Sequence, residues 1–366
     1  MQSKLNKDSL MLAFITLCLA LLALSGCAMV GPRSISMGRA DYNEAINKTE
    51  DDQLLMSIVR GRYGETFSLL AVTGVAANVR FGTNAGVNIG FGSNDSYAGN
   101  LVPFSGGLAY EENPTITYAP VQGELYARQL FAPIPLDILL LLVRSGTQPG
   151  RMLTLLVKRI NDLQNPDFLP APSQEPDPRF IRQAELVSKL INAGVMVWVG
   201  DPREEVRFDI VISGYAPEYS QNVREYLNLL ALPQPADESK DIVLPVYHAI
   251  KGKESGSIGI STRSTFDLIE ILRAAIEIPQ KHHSGGLAIN YPPVGLAGRD
   301  IRIQLSTDRP KTASIAVKYR GYWFYIDEAD PRTKLFYRIV RLFWSFSIAS
   351  STEQGTAAPV LTIPVR

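Results

Sequence analysis

The 366-residue chain has two cysteines, three histidines and no excess of charge: 36 Lys and Arg stand against 36 Asp and Glu. That balance removes the electrostatic footprint on which nucleic-acid binding depends. Cys18 and Cys27 are the only cysteines, so everything after Cys27 folds without a disulfide or a thiolate metal site. Gly-x-Ser-x-Gly, Ser-x-x-Lys and His-Glu-x-x-His are all missing, and with them the usual marks of an activated serine or a catalytic zinc. The glycine-rich FGTNAGVNIGFG has strand alternation and no Gly-Lys-Ser/Thr after it, which excludes a phosphate loop. A membrane-crossing helix is lacking at the start as well. The apolar stretch Leu10 to Leu24, broken only by Thr16, is fifteen residues long, short of the roughly 20 that a bilayer demands.

What the start does contain is Lys4 and Lys7, that short apolar stretch, and then Leu24-Ser25-Gly26-Cys27. Basic start, apolar run and small-residue end are the parts of a signal peptide, and the last four residues resemble the lipobox of bacterial lipoproteins. The resemblance implies cleavage between Gly26 and Cys27, a diacylglyceryl group on the Cys27 thiol and a further acyl chain on its amine. Several chains buried together, at about 0.8 kcal/mol per methylene, hold a protein on a lipid bilayer essentially permanently. Ala28, where an Asp would retain such a protein in the inner membrane, implies the periplasmic face of the outer membrane of a Gram-negative cell.

Along the chain, the expected divisions are a signal peptide over 1–26, a lipidated tether over 27–40, an N-terminal domain over 41–164, a Pro-rich linker over 165–178 (NPDFLPAPSQEPDP) and a C-terminal domain over 179–366. The stretch after Asp41 has helical spacing closed by Arg60, Arg62 and Gly64. From Val79 to Phe91 apolar residues or Thr83 alternate with Arg, Gly and Asn, which predicts a strand. Its return partner is LAYEENPTITYAPV. The prolines of Ala132-Pro133-Ile134-Pro135 separate two helices, and MLTLLVKRIN reads as a buried strand. Ser264 with Asp267 predicts a capping box. Arg320-Gly321 predicts a hairpin turn, and Asp330-Pro331 a helix start. PVLTIPV can add a last strand. Runs of strands and helices in this irregular order predict an α+β fold, with mixed and antiparallel sheets, packed amphipathic helices and two subdomains.

Chemistry is sparse. PQKHHSGG predicts two exposed loop histidines, His282 and His283, and the strand pattern around His248 predicts a hydrogen-bonded core residue. Neither Thr49-Glu50-Asp51-Asp52 nor Asp327-Glu328-Ala329-Asp330 has the spacing of a calcium loop. No cofactor and no metal is expected. The helix from Pro331 to Ile348, with Lys334, Arg338 and Arg341 on one side and Leu335, Phe336, Ile339, Leu342, Phe343 and Phe346 on the other, is expected to pack on the hairpin before it.

Four stretches, YNEAINKTEDDQLLMSIVR, PTITYAPVQGELYARQLFAPI, STRSTFDLIEIL and YRGYWFYIDEADPRTKLF, resemble a family of proteobacterial outer-membrane lipoproteins. That resemblance implies a grouping and no activity. The expected function is a non-enzymatic scaffold or assembly factor in the cell envelope, with the bilayer and an envelope protein as partners. One alternative is a subunit of an oligomeric outer-membrane pore that uses a hairpin within residues 66–119. Thirteen alternating residues exceed the 9 to 11 of a tilted transmembrane strand. The other is an envelope polysaccharide hydrolase, which requires a cleft with paired carboxylates.

Overall fold

The computed structural model describes residues 30–66, 69–76, 79–87, 104–112, 115–121, 123–145, 148–200, 207–237, 240–250, 252, 255–353 and 361–364. Its first element, helix α1, runs Val30–Arg62, about 50 Å at 1.5 Å per residue. The stretch expected as a tether is therefore helical from Val30 on. Pro32 falls in the first turn, where a missing N–H costs no intrahelical bond, so it does not break the helix. The chain divides into two contact units, residues 1–53 and 54–366. In the second unit Leu54, Leu55, Ile58 and Val59 are fully buried, an i, i+1, i+4, i+5 stripe on the last turns of α1.

Strands β1 (Leu69–Ala76) and β2 (Val79–Val87) run antiparallel to β4 (Thr115–Val121) and β3 (Phe104–Glu112). Ala76 pairs with Thr115, Val79 with Glu112 and Val87 with Phe104. The two pairs share one register, with an irregularity between Val72 and Gly74. Strand β14 (Leu361–Pro364) lies along β4 with Pro364 opposite Thr115. Proline has no N–H to give a further neighbour, so it suits an edge. The result is a three-stranded sheet, β1-β4-β14, and a two-stranded one, β2-β3. Ile89 and Phe91, the end of the expected strand, lie outside the described residues.

Helices α2 (Glu124–Phe131) and α3 (Leu136–Ser145) flank the two prolines. The expected strand MLTLLVKRIN is half helix: α4 (Pro149–Leu156) passes directly into β5 (Val157–Ile160). Proline at the first helical position starts α4, a signal that apolar periodicity alone does not contain. Strand β6 (Leu163–Gln164), helix α5 (Pro178–Asn192, capped by Asp177), strands β7 (Met196–Gly200) and β8 (Arg207–Ile212), and helix α6 (Pro217–Leu229) follow. Next come β9 (Ile242–His248), β10 (Ile258–Thr262), helix α7 (Thr265–Ala274) and the short α8 (Gln280–Ser284). Strands β11 (Gln304–Ser306), β12 (Ala313–Tyr319) and β13 (Tyr322–Asp327) precede helix α9 (Pro331–Glu353).

The largest sheet has the order β6-β5-β10-β9-β8-β7. All its pairs are antiparallel except β9 with β10. Strands from before and after the Pro-rich segment 165–178 thus share one sheet, and one continuous core joins Leu153, Leu156 and Val157 to Ile258, Ile260 and Trp344. The expected boundary there is not a division of the structure, because β5 completes its sheet only with β10, about a hundred residues later. The architecture is α+β with mixed and antiparallel sheets.

Candidate functional site

The most heavily charged interior point lies where β10 ends and α7 begins. Arg263 is fully buried. Its Nε donates to Asp167 Oδ1 at 2.6 Å, its Nη1 to the carbonyls of Thr154, Leu155 and Val157 at 2.9–3.0 Å, and its Nη2 to the carbonyl of Asn165 at 2.7 Å. Lys158 Nζ bridges Asp167 at 3.0 Å and Asp267 at 2.9 Å. Asp267 in turn accepts from the Ser264 N–H at 2.7 Å, while Ser264 Oγ accepts from the Asp267 N–H at 3.1 Å. This is the capping box the sequence predicts, and Lys158 links it through Asp167 to the buried Arg263.

Electrostatics follow from that packing. Burial pulls Arg263 below the usual guanidinium range, against the opposing pull of Asp167. Burial also acts to lower Lys158 and to raise Asp267, but in both cases the partners outweigh it. Asp267 and Asp167 hold the ammonium above its ordinary value, and the Ser264 N–H, Lys158 and the Ser264 hydroxyl hold the Asp267 carboxyl below its own. The chain's own acceptors engage Nε, Nη1 and Nη2 of Arg263, so the guanidinium acts as a clamp on the turn between α4 and β6. Sequence reasoning did not single out Arg263 or Asp167. The one available signal was a cation inside the apolar strand pattern IGISTRS.

A second cluster gathers aromatic rings and cations. Tyr63 Oη lies 2.8 Å from His282 Nδ1. Tyr63 also packs on Tyr319 with ring centroids 5.2 Å apart, and the Arg320 guanidinium sits 5.0 Å from its ring centre. The Tyr319 hydroxyl donates to Glu65, as does Arg320 Nη2 at 3.0 Å. Tyr319 first, then Arg320, hold the Glu65 carboxyl below the usual range. Burial raises Tyr63 to about 12, while burial, Lys281 and Arg320 lower His282. The neutral imidazole is therefore favoured, sharing a hydrogen bond through Nδ1 with the Tyr63 hydroxyl. His282 is buried on α8 and His283 exposed, which corrects the expectation of two exposed loop histidines: a helical turn sends neighbouring residues to different sides. His248, expected in the core, is exposed at the end of β9.

Nearby, Arg62 is nine-tenths buried with its guanidinium 4.7 Å from the Tyr291 ring centre. Tyr291 Oη donates to Glu270 at 2.7 Å, and Arg273 also binds Glu270. Nε and Nη1 of Arg62 have no hydrogen-bond partner. Both are sealed from solvent, which leaves no room for a ligand oxygen beside them.

The acidic run Asp327-Glu328-Ala329-Asp330 is structural. Asp327 Oδ1 accepts from the Ala329 N–H, Glu328 pairs with Lys334, and Asp330 caps α9 by accepting from the N–H groups of Arg332 and Thr333. Among the described residues no group of three or more His, Cys, Asp and Glu side chains could hold a metal. Cys27 and Gly26 lie outside the described residues. Two concavities lie among the described residues. An open polar cleft of about 770 Å³ between α5 and α6 carries Arg179, Gln221, Arg224 and Glu225, and Glu225 is already paired with Arg182 at 2.7 Å. An apolar cavity of about 260 Å³ is walled by Pro133, Pro135, Ile138, Phe343 and Phe346. On α9 the residues Phe336, Tyr337, Ile339, Val340, Phe343 and Trp344 are buried, whereas Leu342 and Phe346 are exposed. The expected apolar face is thus rotated toward Tyr337, Val340 and Trp344.

No family model, no curated protein and no solved structure matches the chain.

Proposed function

We propose that this chain is a lipid-anchored component of the Gram-negative cell envelope, held by acylated Cys27 at the periplasmic face of the outer membrane. There it acts as a non-enzymatic scaffold or assembly factor for an envelope complex. The basic start, the short apolar stretch and Leu24-Ser25-Gly26-Cys27 support the anchoring. The observation that carries the assembly reading is the antiparallel pair β2-β3, a sheet of two nine-residue strands among the described residues, since a strand edge is a template for another chain. A row of valines on the six-stranded sheet supports it further. Val197, Val211 and Val243 are in register across β7, β8 and β9, and Val197 and Val243 are about half exposed.

The anchor is tested by growing cells with labelled fatty acid. The wild-type chain is expected to take up label and Cys27→Ala to take up none; equal labelling of the two contradicts the anchor.

A second reading, a subunit of an oligomeric outer-membrane pore, draws on the length of β2 and β3. Each has nine residues, which matches the 9 to 11 of a tilted transmembrane strand. A lone hairpin would leave backbone groups unpaired in lipid, so this reading requires several copies to close a common barrel.

A further inference from the structure

We infer that the outer face of the three-stranded sheet β11-β13-β12 is a binding surface for an acidic polysaccharide, with Trp323 and Tyr325 as the platform for sugar rings and Lys318 and Arg309 as the partners of the acid groups. The inference rests on the envelope reading only for where such a polymer is met.

The sheet has two unlike faces. Strand β13 is central, with β11 along one edge and β12 along the other. Side chains alternate across it: Phe324 and Ile326 are fully buried, as is Ile303 just before β11, and Val317 on β12 is 5% exposed. The residues between them point the other way. Trp323 stands between Ser306 and Lys318 in the register, and Tyr325 between Gln304 and Ala316. Lys318 is exposed, and both rings are partly so. The two aromatics lie about 7 Å apart along one strand at 3.4 Å per residue. Because both edges of β13 are taken, a partner reaches these rings across the face and not by adding a strand to β13.

The Arg309 guanidinium lies 5.4 Å from the centre of the Trp323 ring, within cation–π reach, and Lys318 borders the same ring from the β12 side. Alternation also places the exposed Arg302 on this face, ahead of Gln304 and Ser306. The acids beside it are engaged: Asp327 Oδ1 accepts from the Ala329 N–H, and Asp308 from the Thr307 hydroxyl. Three cations against two engaged carboxylates favour an anionic partner. Neutral groups select its kind. Gln304 Oε1 accepts from the Tyr325 hydroxyl at 2.8 Å, and Ser306 Oγ accepts from the Asp308 N–H at 3.2 Å, so each of the two side chains keeps a donor. The faces of aromatic rings carry negative charge and draw the C–H side of a sugar ring, whose hydroxyls then meet those donors. An aliphatic surface would leave the donors and Lys318 unpaired. A single-stranded nucleic acid also stacks on aromatic rings, but it presents a phosphate with each base and calls for a continuous basic groove, which three cations do not make.

The test measures, at low salt, the affinity of the full-length chain in detergent for alginate, a polysaccharide with a carboxylate on every ring. Dextran supplies rings without acid, polyglutamate supplies acid without rings, and oligothymidylate supplies bases with phosphates. Alginate is expected to bind, and the other three to bind at least about tenfold more weakly. Trp323→Ala and Lys318→Glu are each expected to weaken alginate binding about tenfold, with circular dichroism unchanged. The loss in Lys318→Glu is expected to fade as salt is raised. No binding of alginate, equal binding of any of the other polymers, or a variant that binds like wild type overturns the proposal. Fatty-acid labelling of Cys27 is read separately in cells. A chain that takes up label and ignores alginate loses this surface and keeps the anchor, and one that binds alginate without label keeps the surface and loses the anchor.

Discussion

Arg263 shows what a single side chain does in this protein. A guanidinium with no exposed surface is tolerable only because a carboxylate and four carbonyls receive its N–H groups, and removing one partner from such a set leaves the rest desolvated and unpaired. Arg263→Ala is therefore expected to lower the unfolding free energy by about 3–5 kcal/mol in a denaturant titration; a loss below about 1 kcal/mol contradicts the clamp. His282 gives a pH dependence. Its pKa in the folded chain lies below the ordinary value, so in acid the unfolded chain binds the proton first. Its stabilising contribution is present above about pH 6.5 and is lost as the pH falls through its lowered value. His282→Gln, which does not titrate, is expected to flatten the stability profile between about pH 7 and 5. An unchanged slope contradicts the assignment. Neither residue was legible as it stands. The partners of Arg263 are distant in sequence, and the HH pair has the composition of a loop while α8 supplies the burial.

At the scale of elements, legibility tracked how local the signal was. Ser264 with Asp267, the Arg320-Gly321 turn and Asp330-Pro331 are short-range devices, and each stands as expected: a reciprocal cap, a two-residue turn with φ of 47° and 86°, and a capped helix start. The α4–β5 junction was not legible, because an apolar run satisfies a buried helix and a buried strand alike. Packing between α4 and α5 depends on one glycine. A Cβ on Gly150 would lie 2.1 Å from the Ala184 carbonyl oxygen, a backbone atom that cannot turn aside. The Gly150 N–H also donates to Ser188 Oγ at 2.8 Å. Gly150→Ala is expected to cost about 1–3 kcal/mol by thermal or chemical unfolding; a neutral or stabilising result would show that the two helices can move apart freely.

For the whole molecule, the α+β class followed from the irregular order of elements, but the grouping of strands did not. The Pro-rich segment 165–178 has the composition of a linker, yet Phe168 bridges Val294 and Leu169 donates to the Pro293 carbonyl. Proline density marks irregular backbone whether or not domains meet there. The pair β2-β3 was legible as alternation along one strand. The register shared by β1-β4 and β2-β3 came only from the pairing. In living cells, a photo-crosslinking amino acid placed at Thr83 on β2 tests most directly the proposal that this chain is a lipid-anchored envelope component that works by holding other chains. The account predicts ultraviolet-dependent adducts larger than the single chain that retain labelled fatty acid on Cys27. A chain that carries the label and forms no protein adduct would contradict it.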